Sequence, residues 1–311
     1  MDGFYEANGK NALGYYLRED LPGYYSLLPQ FTLCVNYFCG VISCTSPNRL
    51  VLYAGTCGGC TTNNISNAQL GYPCIADLLQ QYKISFKNYN YHCPNDYTKI
   101  ALFQRWNGHP KLNHTQAQFF SDCRNGTLPQ VSFISTASPY DEHPSDLDQY
   151  PINSQAGARY ASSLINALMS STSWKDSIFI LTYDESGGFY DHVPPQQTVS
   201  PDGIKPVDLA SGDICTKTTG PLCDFTYTGN RVPLIVISPY SKQNYVSHTV
   251  ADHTAILKLI ETRFGLQSLS QRDAAQMDMT EFFDFNSATW LTPPTPPAQN
   301  TSGPCYLNKL P

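Results

Sequence analysis

Short β-rich apolar runs alternate along this chain with longer segments of helical periodicity, and this alternation constrains the fold more than any other feature. Four runs are short and rich in branched and aromatic residues, as buried strands are: residues 84–89, 130–135, 177–183 and 233–238. Strands that alternate with helices usually form a parallel sheet covered by helices. The sequence therefore predicts an α/β fold, a three-layer α/β/α sandwich with a mostly parallel central sheet.

Segments with helical periodicity separate these runs. We predict helices over residues 13–28, 75–81, 155–170 and 252–264. In the third segment the apolar side chains fall on one face, which is typical of a helix that packs on a sheet. Two segments without periodicity, residues 56–67 and the polar insertion 196–229, are expected to form loops at the rim of a site.

A hydroxyl group stands just ahead of a proline in the run Thr-Ser-Pro-Asn-Arg-Leu at residues 45–50. Pro47 suits the first turn of a helix, because its φ is fixed and it has no N–H to satisfy. The N–H groups and the dipole at such a terminus favour an anion, so a phosphate or sulfate fits beside the Thr45 oxygen. Thr45 is therefore either a nucleophile mounted on a helix N-terminus or an ordinary N-capping residue.

Two carboxylates, Asp184 and Glu185, follow the predicted strand 177–183 and precede a pair of glycines. Ligands of open α/β sheets bind at the carboxyl ends of the strands. Adjacent carboxylates repel each other unless a cation holds them, and their oxygens suit Ca²⁺, Mg²⁺ or Mn²⁺, or Zn²⁺ if a histidine joins. We predict a divalent metal site at this pair, with an ordinary acidic turn as the alternative.

Two histidines are assigned by their position along the chain. His143 follows the predicted strand 130–135, in a loop that is expected to open on the same sheet edge as Asp184. We predict that it contacts phosphate or acts as a general acid, the alternative being a structural loop histidine. His253 is expected to cap or dock the helix that begins near Asp252.

Five stretches around these residues, taken in order, resemble one protein family: residues 45–49, 139–144, 182–193, 231–239 and 252–255. They resemble the phosphoesterase family, which holds bacterial and plant non-specific phospholipases C and certain acid phosphatases. The first stretch is also similar to the nucleophile segment of sulfatases. The resemblance implies membership of the wider superfamily of alkaline phosphatase-like proteins, and with it an alkaline phosphatase-like arrangement of the predicted sandwich.

The resemblance also implies a chemistry, the hydrolysis of a phosphoric ester through a covalent phospho-threonine. Thr45 is the expected nucleophile, and metal coordination by the two carboxylates would make its hydroxyl alkoxide-like. Asn48 or Arg49 is expected to orient the phosphoryl oxygens, and His143 to assist the departing alcohol. The identity of the divalent metal ion stays open among Ca, Mg, Mn and Zn.

One feature of the family is missing from this chain. Members usually begin with a strand followed by a Glu-Asn pair that supplies metal ligands, and no Glu-Asn dipeptide occurs in these 311 residues. We expect a chain that lacks its N-terminal segment, and with it half of the metal site. The alternative is a degenerate relative that binds no metal.

Three functions follow from these interpretations. The first is a phospholipase C that cleaves phospholipid head groups, since the resemblance associates Thr at position 45 with that branch. The second is an acid phosphatase acting on phosphomonoesters, and the third is a non-catalytic secreted binding protein without the N-terminal metal ligands. The expected partners are a phospholipid or a small phosphoester, with transient contact to a membrane surface.

The net charge and the length limit the classes of binding partner and the number of domains. A net charge of −6 offers no basic footprint for nucleic acid, so we expect no nucleic-acid partner. Length permits one large α/β domain, which we place at residues 1–290. Residues 291–311 contain a proline-rich stretch and are expected to form an extended surface tail that is closed by Cys305.

The chain has eleven cysteines, which is typical of proteins that fold in an oxidising compartment. The Cys57 and Cys60 pair is expected to serve in disulfides, since no second pair exists to complete a zinc site. Four sequons agree with this, at Asn64, Asn113, Asn125 and Asn300. We expect a secreted or endomembrane-lumen glycoprotein, although no signal peptide precedes the first motif.

Overall fold

The framework of the molecule consists of nine short strands in the computed structural model, which describes residues 2–66, 69–90, 99–137, 139–144, 154–217 and 223–301. The described strands are β1 (Thr32–Cys34), β2 (Tyr37–Phe38), β3 (Phe86–Asn90), β4 (His114–Thr115), β5 (Val131–Ser135), β6 (Phe179–Thr182), β7 (Leu234–Ile237), β8 (Tyr245–Ser247) and β9 (Ala251–Asp252). The described helices are α1 (Asp2–Asn8), α2 (Pro22–Leu27), α3 (Thr45–Ala54), α4 (Ile75–Gln81), α5 (Gln116–Asn125), α6 (Ser154–Met169), α7 (Thr254–Phe264) and α8 (Gln271–Ala275).

The described strands pair in three sheets, and four of their six pairings are parallel. One sheet has the order β4–β3–β5 and is entirely parallel, and β2 pairs with β9 in parallel. The third sheet has the order β6–β7–β1–β8, where β7 runs antiparallel to both of its neighbours. A parallel neighbour needs a long crossover, usually a helix, and the described part of the β6–β7 connection contains no α-helix.

Side chains that alternate along the strands divide the core into two layers. Phe86 of β3 and Phe133 of β5 pack with α3, α4 and α7 on one face of their sheet. Tyr89 and Ile134 of the same strands pack with α5 and α6 on the other face. Helices therefore cover both faces of the sheet, which confirms the predicted α/β/α sandwich.

Strand β7, in the sheet β6–β7–β1–β8, is buried on both of its faces. Ile235 and Ile237 point toward the α6 layer, while Leu234 and Val236 point toward the α7 layer, and all four side chains are buried. Each such burial contributes about 1.5–3 kcal/mol relative to exposure. A strand buried on both faces reads as a continuous apolar run, as this strand does.

The N-terminal helix prediction is wrong in its extent. Of residues 13–28, only Pro22–Leu27 are α-helical, and a 3₁₀ turn, Gly9–Leu13, lies before them. Pro22 occupies the first helical turn, the place where a missing N–H costs nothing. A longer helix would carry the same proline in its interior, where the ring and the missing N–H break the hydrogen-bond ladder.

The insertion 196–229 contains a disulfide between Cys215 and Cys223, the single bridge among the described cysteines. Seven others are thiols, including Cys57 and Cys60, so the disulfide role expected for that pair is not observed. Cys305, expected to close the C-terminal tail, lies outside the described residues. The tail is packed as far as Gln299, which is buried and donates to the backbone oxygen of Asp20 at 2.8 Å.

Helix length also bears on membranes. The longest helix in the described part of the chain, α6, has 16 residues. Across the described part of the chain, no helix is long and apolar enough to span a bilayer.

Candidate active site

Thr45 is the first residue of α3, and Cys44 occupies the N-cap position before it. Thr45 is therefore not the N-capping residue that the alternative interpretation expected, and its role as a nucleophile stays a prediction. The backbone N–H of Ser46 donates to the Asn63 side chain at 2.7 Å, so the neighbouring loop helps to fix the first turn. Pro47 lies inside this first turn, where it replaces an N–H that the helix itself cannot use.

Asn48 holds the loop that leads into α3. Its side-chain oxygen accepts from the N–H of Val41 at 2.9 Å, and its amide donates to the oxygens of Ser43 and Cys44 at 2.9 and 3.1 Å. The residue is fully buried. Both amide hydrogens are engaged by the backbone, so the expected contact with a phosphoryl group would require Asn48 to give up bonds that shape the loop.

Arg49 forms an ion pair with Asp184, the two groups meeting at 2.8 Å between Nε and Oδ2. Burial alone would raise the pKa of Asp184, but the charge and hydrogen bond of Arg49 lower that pKa below its ordinary value. Thr45 and Arg49 are four residues apart on α3, so they share one face with Cβ atoms about 5–6 Å apart. Arg49 thus ties the helix that begins with Thr45 to the end of β6.

The loop after β6 fixes the two carboxylates through its own backbone. The N–H of Glu185 donates to Asp184 Oδ1 at 3.1 Å, and the N–H of Gly187 donates to Glu185 Oε2 at 2.6 Å. Gly187 and Gly188 have φ of 65° and 79°, a conformation that glycine adopts without strain. A Cβ at Gly188 would lie 2.7 Å from the Asn8 side chain, so this turn is also pressed against α1.

His143 approaches the second carboxylate. Its Nε2 lies 3.5 Å from Glu185 Oε1, and 54% of its side chain is exposed. Burial raises the pKa of Glu185, and the charge of Asp184 adds to this rise. The N–H of Gly187 and the imidazole of His143 oppose it. The structure thus brings His143, Glu185, Asp184 and Arg49 into one contiguous chain of contacts.

His253 forms a hydrogen bond to the loop after β6, and its side chain does not cap α7. Its Nε2 donates to the backbone oxygen of Asp184 at 2.8 Å, and its Nδ1 accepts from the Tyr37 hydroxyl at 3.1 Å. Burial lowers the pKa of His253, so the neutral imidazole is favoured. Asp252 satisfies the start of α7, because its Oδ1 accepts from the N–H of Thr254 at 2.8 Å. His253 is thus a buried residue that holds the loop after β6 in place through a hydrogen bond.

Lys99 is a second cation near the ion pair, and no sequence motif surrounds it. The 3₁₀ turn Lys99–Leu102 packs against α3. Burial and the positive charge of Arg49 lower the pKa of Lys99, while the charges of Asp184 and Cys44 oppose this. Lys99 therefore interacts electrostatically with both members of the Arg49–Asp184 ion pair.

The donor set for a metal ion is partial within the described residues. No group of three or more His, Cys, Asp or Glu side chains in that part of the chain converges as metal ligands. Asp184 and Glu185 offer hard carboxylate oxygens, the type that Ca²⁺, Mg²⁺ and Mn²⁺ prefer. Two carboxylates fit as a part of such a site, and Arg49 is the cation that balances Asp184 in their present arrangement.

Comparison with known proteins places this geometry in context. The model of the phosphoesterase family matches residues 1–267. Phospholipase C B of Mycobacterium tuberculosis is 32% identical over 335 residues, which cover 98% of this chain and 62% of that protein. Non-specific phospholipase C1 of Arabidopsis thaliana is 30% identical over 296 residues, covering 88% of this chain and 52% of that protein. The chain thus spans about three fifths of the first relative and half of the second.

Among solved structures, murine ectonucleotide pyrophosphatase/phosphodiesterase 5 superposes with a TM-score of 0.51 at 11% sequence identity. The match covers 85% of this chain and 95% of the murine one. At that identity the likeness concerns the fold alone, and it agrees with the α/β architecture described above. The family match and the two relatives establish more: this chain belongs to the phosphoesterase family.

Proposed function

We propose that this protein hydrolyses phosphoric esters, as a phospholipase C that removes the phosphorylated head group of a phospholipid. The observation that carries the proposal is the 2.8 Å ion pair between Arg49 and Asp184, which are 135 residues apart in sequence. This pair joins the helix that begins with Thr45 to the two carboxylates at the end of β6. The names of the relatives support the choice of substrate class.

In the proposed reaction the Thr45 hydroxyl loses its proton to solvent and Oγ1 attacks the phosphorus atom, forming an Oγ1–P bond as the bond from phosphorus to the glycerol oxygen breaks. A divalent cation held by Asp184 and Glu185 would lower the pKa of the Thr45 hydroxyl and neutralise phosphoryl charge. Arg49 and Lys99, together with the N-terminal N–H groups of α3, stabilise the charge on the phosphoryl oxygens. His143 gives a proton to the departing diacylglycerol oxygen.

The second half of the reaction restores the enzyme. Water attacks the phospho-threonine, and His143 accepts the proton that the water loses. The P–O bond to Thr45 breaks, the phosphorylated head group leaves, and the Thr45 oxygen takes back a proton from solvent. An acid phosphatase would use the same residues on a monoester, so these two candidates differ in substrate and not in chemistry.

Location and membrane contact are part of the proposal. The cysteine content and the exposed positions of Asn64, Asn113, Asn125 and Asn300 support a secreted glycoprotein. A phospholipid substrate implies transient contact with a membrane surface. Glycosidase treatment followed by mass measurement of the protein secreted by its natural host tests the first point. An unchanged mass would count against it.

The function is tested with purified protein supplied in turn with Ca²⁺, Mg²⁺, Mn²⁺ and Zn²⁺. We expect release of phosphocholine from phosphatidylcholine, followed by ³¹P NMR, to exceed hydrolysis of an aryl phosphate monoester. A higher rate with the monoester would assign the acid phosphatase reaction instead. Absence of turnover on both substrates with every cation would favour the non-catalytic binding protein.

The nucleophile is tested separately by Thr45→Ala, which should abolish turnover and any phospho-threonine seen by mass spectrometry. Thr115→Ala is a matched control, because it removes the capping bond of Thr115 to the N–H of Gln118 at the start of α5. That loss costs about 1 kcal/mol of stability and should leave turnover intact. Residual activity in the folded Thr45→Ala protein would refute the role of Thr45.

A further inference from the structure

A largely buried carboxyl group, that of Glu142, lies one residue before His143 and is held by two tyrosines. The Tyr24 hydroxyl donates to Glu142 Oε1 at 2.5 Å, and the Tyr183 hydroxyl donates to Glu142 Oε2 at 2.7 Å. Tyr24 lies in α2, and Tyr183 follows β6 directly.

The backbone of Glu142 is in the left-handed region, with φ of 59°. Residues with a Cβ rarely adopt this conformation, and it persists only where surrounding contacts enforce it. Such strained positions cluster at active sites. Here the strained residue directly precedes the histidine that approaches Glu185.

Helix α6 has a glycine, Gly157, at the point where it packs against the Glu142 side chain. A Cβ atom at Gly157 would overlap the Cγ atom of Glu142 and lie 2.9 Å from its carboxyl carbon. Gly157 is in the interior of α6, where glycine weakens a helix relative to alanine. Close packing against Glu142 therefore accounts for a glycine at this position.

We call Glu142, Tyr24, Tyr183 and Gly157 the Glu142 clamp. The clamp joins three elements, because it binds α2 through Tyr24, the end of β6 through Tyr183 and α6 through Gly157. Tyr183 is followed at once by the two carboxylates, and Glu142 is followed at once by His143. The two loops that meet at the 3.5 Å contact of His143 with Glu185 are thus joined a second time, inside the protein.

We propose that Glu142 is a positioning residue, whose bonds to Tyr24 and Tyr183 hold the His143 imidazole against Glu185 for phosphoester hydrolysis. The inference rests on the role of His143 in the proposed function. Glu142 itself is directed into the protein and does not touch substrate. It acts by fixing where the next side chain stands.

A double-mutant cycle separates positioning from a merely structural role. We expect Glu142→Ala to lower kcat about 100-fold with KM changed less than about threefold, because small misplacements of a catalytic group cost that much. In the His143→Ala background, Glu142→Ala should lower kcat no further, since the residue it positions is already absent. Equal fold losses in both backgrounds would overturn the proposal.

Conservative variants sharpen the test. Glu142→Gln keeps the shape and can still pair with both hydroxyls, because a tyrosine O–H both donates and accepts, so most of kcat should return. Tyr24→Phe should lower kcat more than Tyr25→Phe, its neighbour in sequence, whose hydroxyl donates to the Tyr16 oxygen at 2.8 Å. Equal effects of the two tyrosine variants would contradict the clamp. Thermal unfolding of each variant shows that the protein compared is folded.

Two outcomes need separate handling. If Glu142→Ala does not fold, Tyr183→Phe replaces it in the cycle with the same expectations. If the wild type hydrolyses no phosphoester, the proposed function fails, and crystal structures of wild type and Glu142→Gln or Glu142→Ala decide the clamp alone. Withdrawal of His143 from Glu185 in the alanine variant only would support it, and an unchanged contact in both variants would overturn it.

Discussion

At the scale of single residues, the Arg49–Asp184 pair decides how the site is charged. Both side chains are about four fifths buried, with 18% and 21% exposed. Removal of one member of a buried pair leaves the other charge without compensation, which costs more than the pair itself contributes. We therefore expect Arg49→Met to lower the unfolding free energy at pH 7 by about 2–3 kcal/mol.

Urea unfolding measures this loss. The double variant Arg49→Met with Asp184→Asn removes both charges, so it should recover part of the stability. Arg124→Met provides the control, since Arg124 is exposed at the end of α5 and its loss should change little. If Arg49→Met and Arg124→Met are equally stable, the ion pair does not contribute as described.

Through Glu142 the stability of the protein depends on pH, and the sign of this dependence follows from the burial of the Glu142 carboxyl group. Burial raises the pKa of Glu142 from its ordinary 4.5 to about 7, Asp141 adds to the rise, and the Tyr24 and Tyr183 hydroxyls oppose it. The folded state therefore holds the proton more tightly than the unfolded state. Its contribution to stability is fully present below pH 4.5 and is lost as the pH rises through 7, by about 3 kcal/mol.

The comparison that isolates this effect is wild type against Glu142→Gln, which cannot ionise. We expect the unfolding free energy of the wild type to fall relative to the glutamine variant between pH 5 and pH 8, measured by urea unfolding at each pH. Curves that stay parallel over that range would mean that Glu142 keeps the same protonation state in the folded and unfolded proteins.

Sequence patterns found the residues that belong to local motifs and missed those whose partners are distant. Asp184 and Glu185 were predictable, because an apolar strand and a glycine pair flank them, although the residues of that strand are only partly buried. The role of His253 was not, since its partner is the backbone oxygen of a residue 69 positions away. Lys99 has no motif around it, and Asn48 belongs to a motif whose pattern does not reveal that its amide faces the backbone.

At the scale of elements, apolar periodicity predicted α4 and α6 almost to the residue, because both helices bury a clear face. Helix α5 was missed, since most of its surface is polar and only its boundaries carry a pattern. Thr115 caps its start, and Gly126 ends it with φ of 67°. Short strands such as β2 and β9 were missed as well, because two residues are too few to show alternation.

The turn after β6 provides a test at this scale. Gly188→Ala would introduce strain at a φ of 79° and press a Cβ against Asn8 of α1, whereas Gly203→Ala has a similar φ of 73° and open space. The left-handed conformation costs about 1–2 kcal/mol in either variant. We expect Gly188→Ala to lose more stability than Gly203→Ala in urea unfolding, and to lower turnover as well. Equal losses would show that α1 does not constrain the turn.

At the scale of the whole molecule, one buried arginine connects parts of the chain that carry the site. Arg272 of α8 donates to the backbone oxygens of Gly40, Val199 and Phe225, and its Nε lies 3.7 Å from Asp252 Oδ2. It therefore ties the loop before α3, the insertion and β9 together. No pattern in the sequence reveals this, because backbone oxygens are the same at every residue.

The last prediction concerns this junction. Arg272→Met would leave the Asp252 carboxylate buried without its cation and several backbone oxygens without donors, at a cost of about 3–5 kcal/mol. Since Arg272 pins both ends of the insertion 196–229, the loss should also expose that segment to proteolysis before the rest of the chain unfolds. Limited proteolysis with mass spectrometry locates the first cuts, and Arg124→Met again serves as control. First cuts elsewhere would mean that the Cys215–Cys223 bridge and the remaining contacts hold the insertion without Arg272.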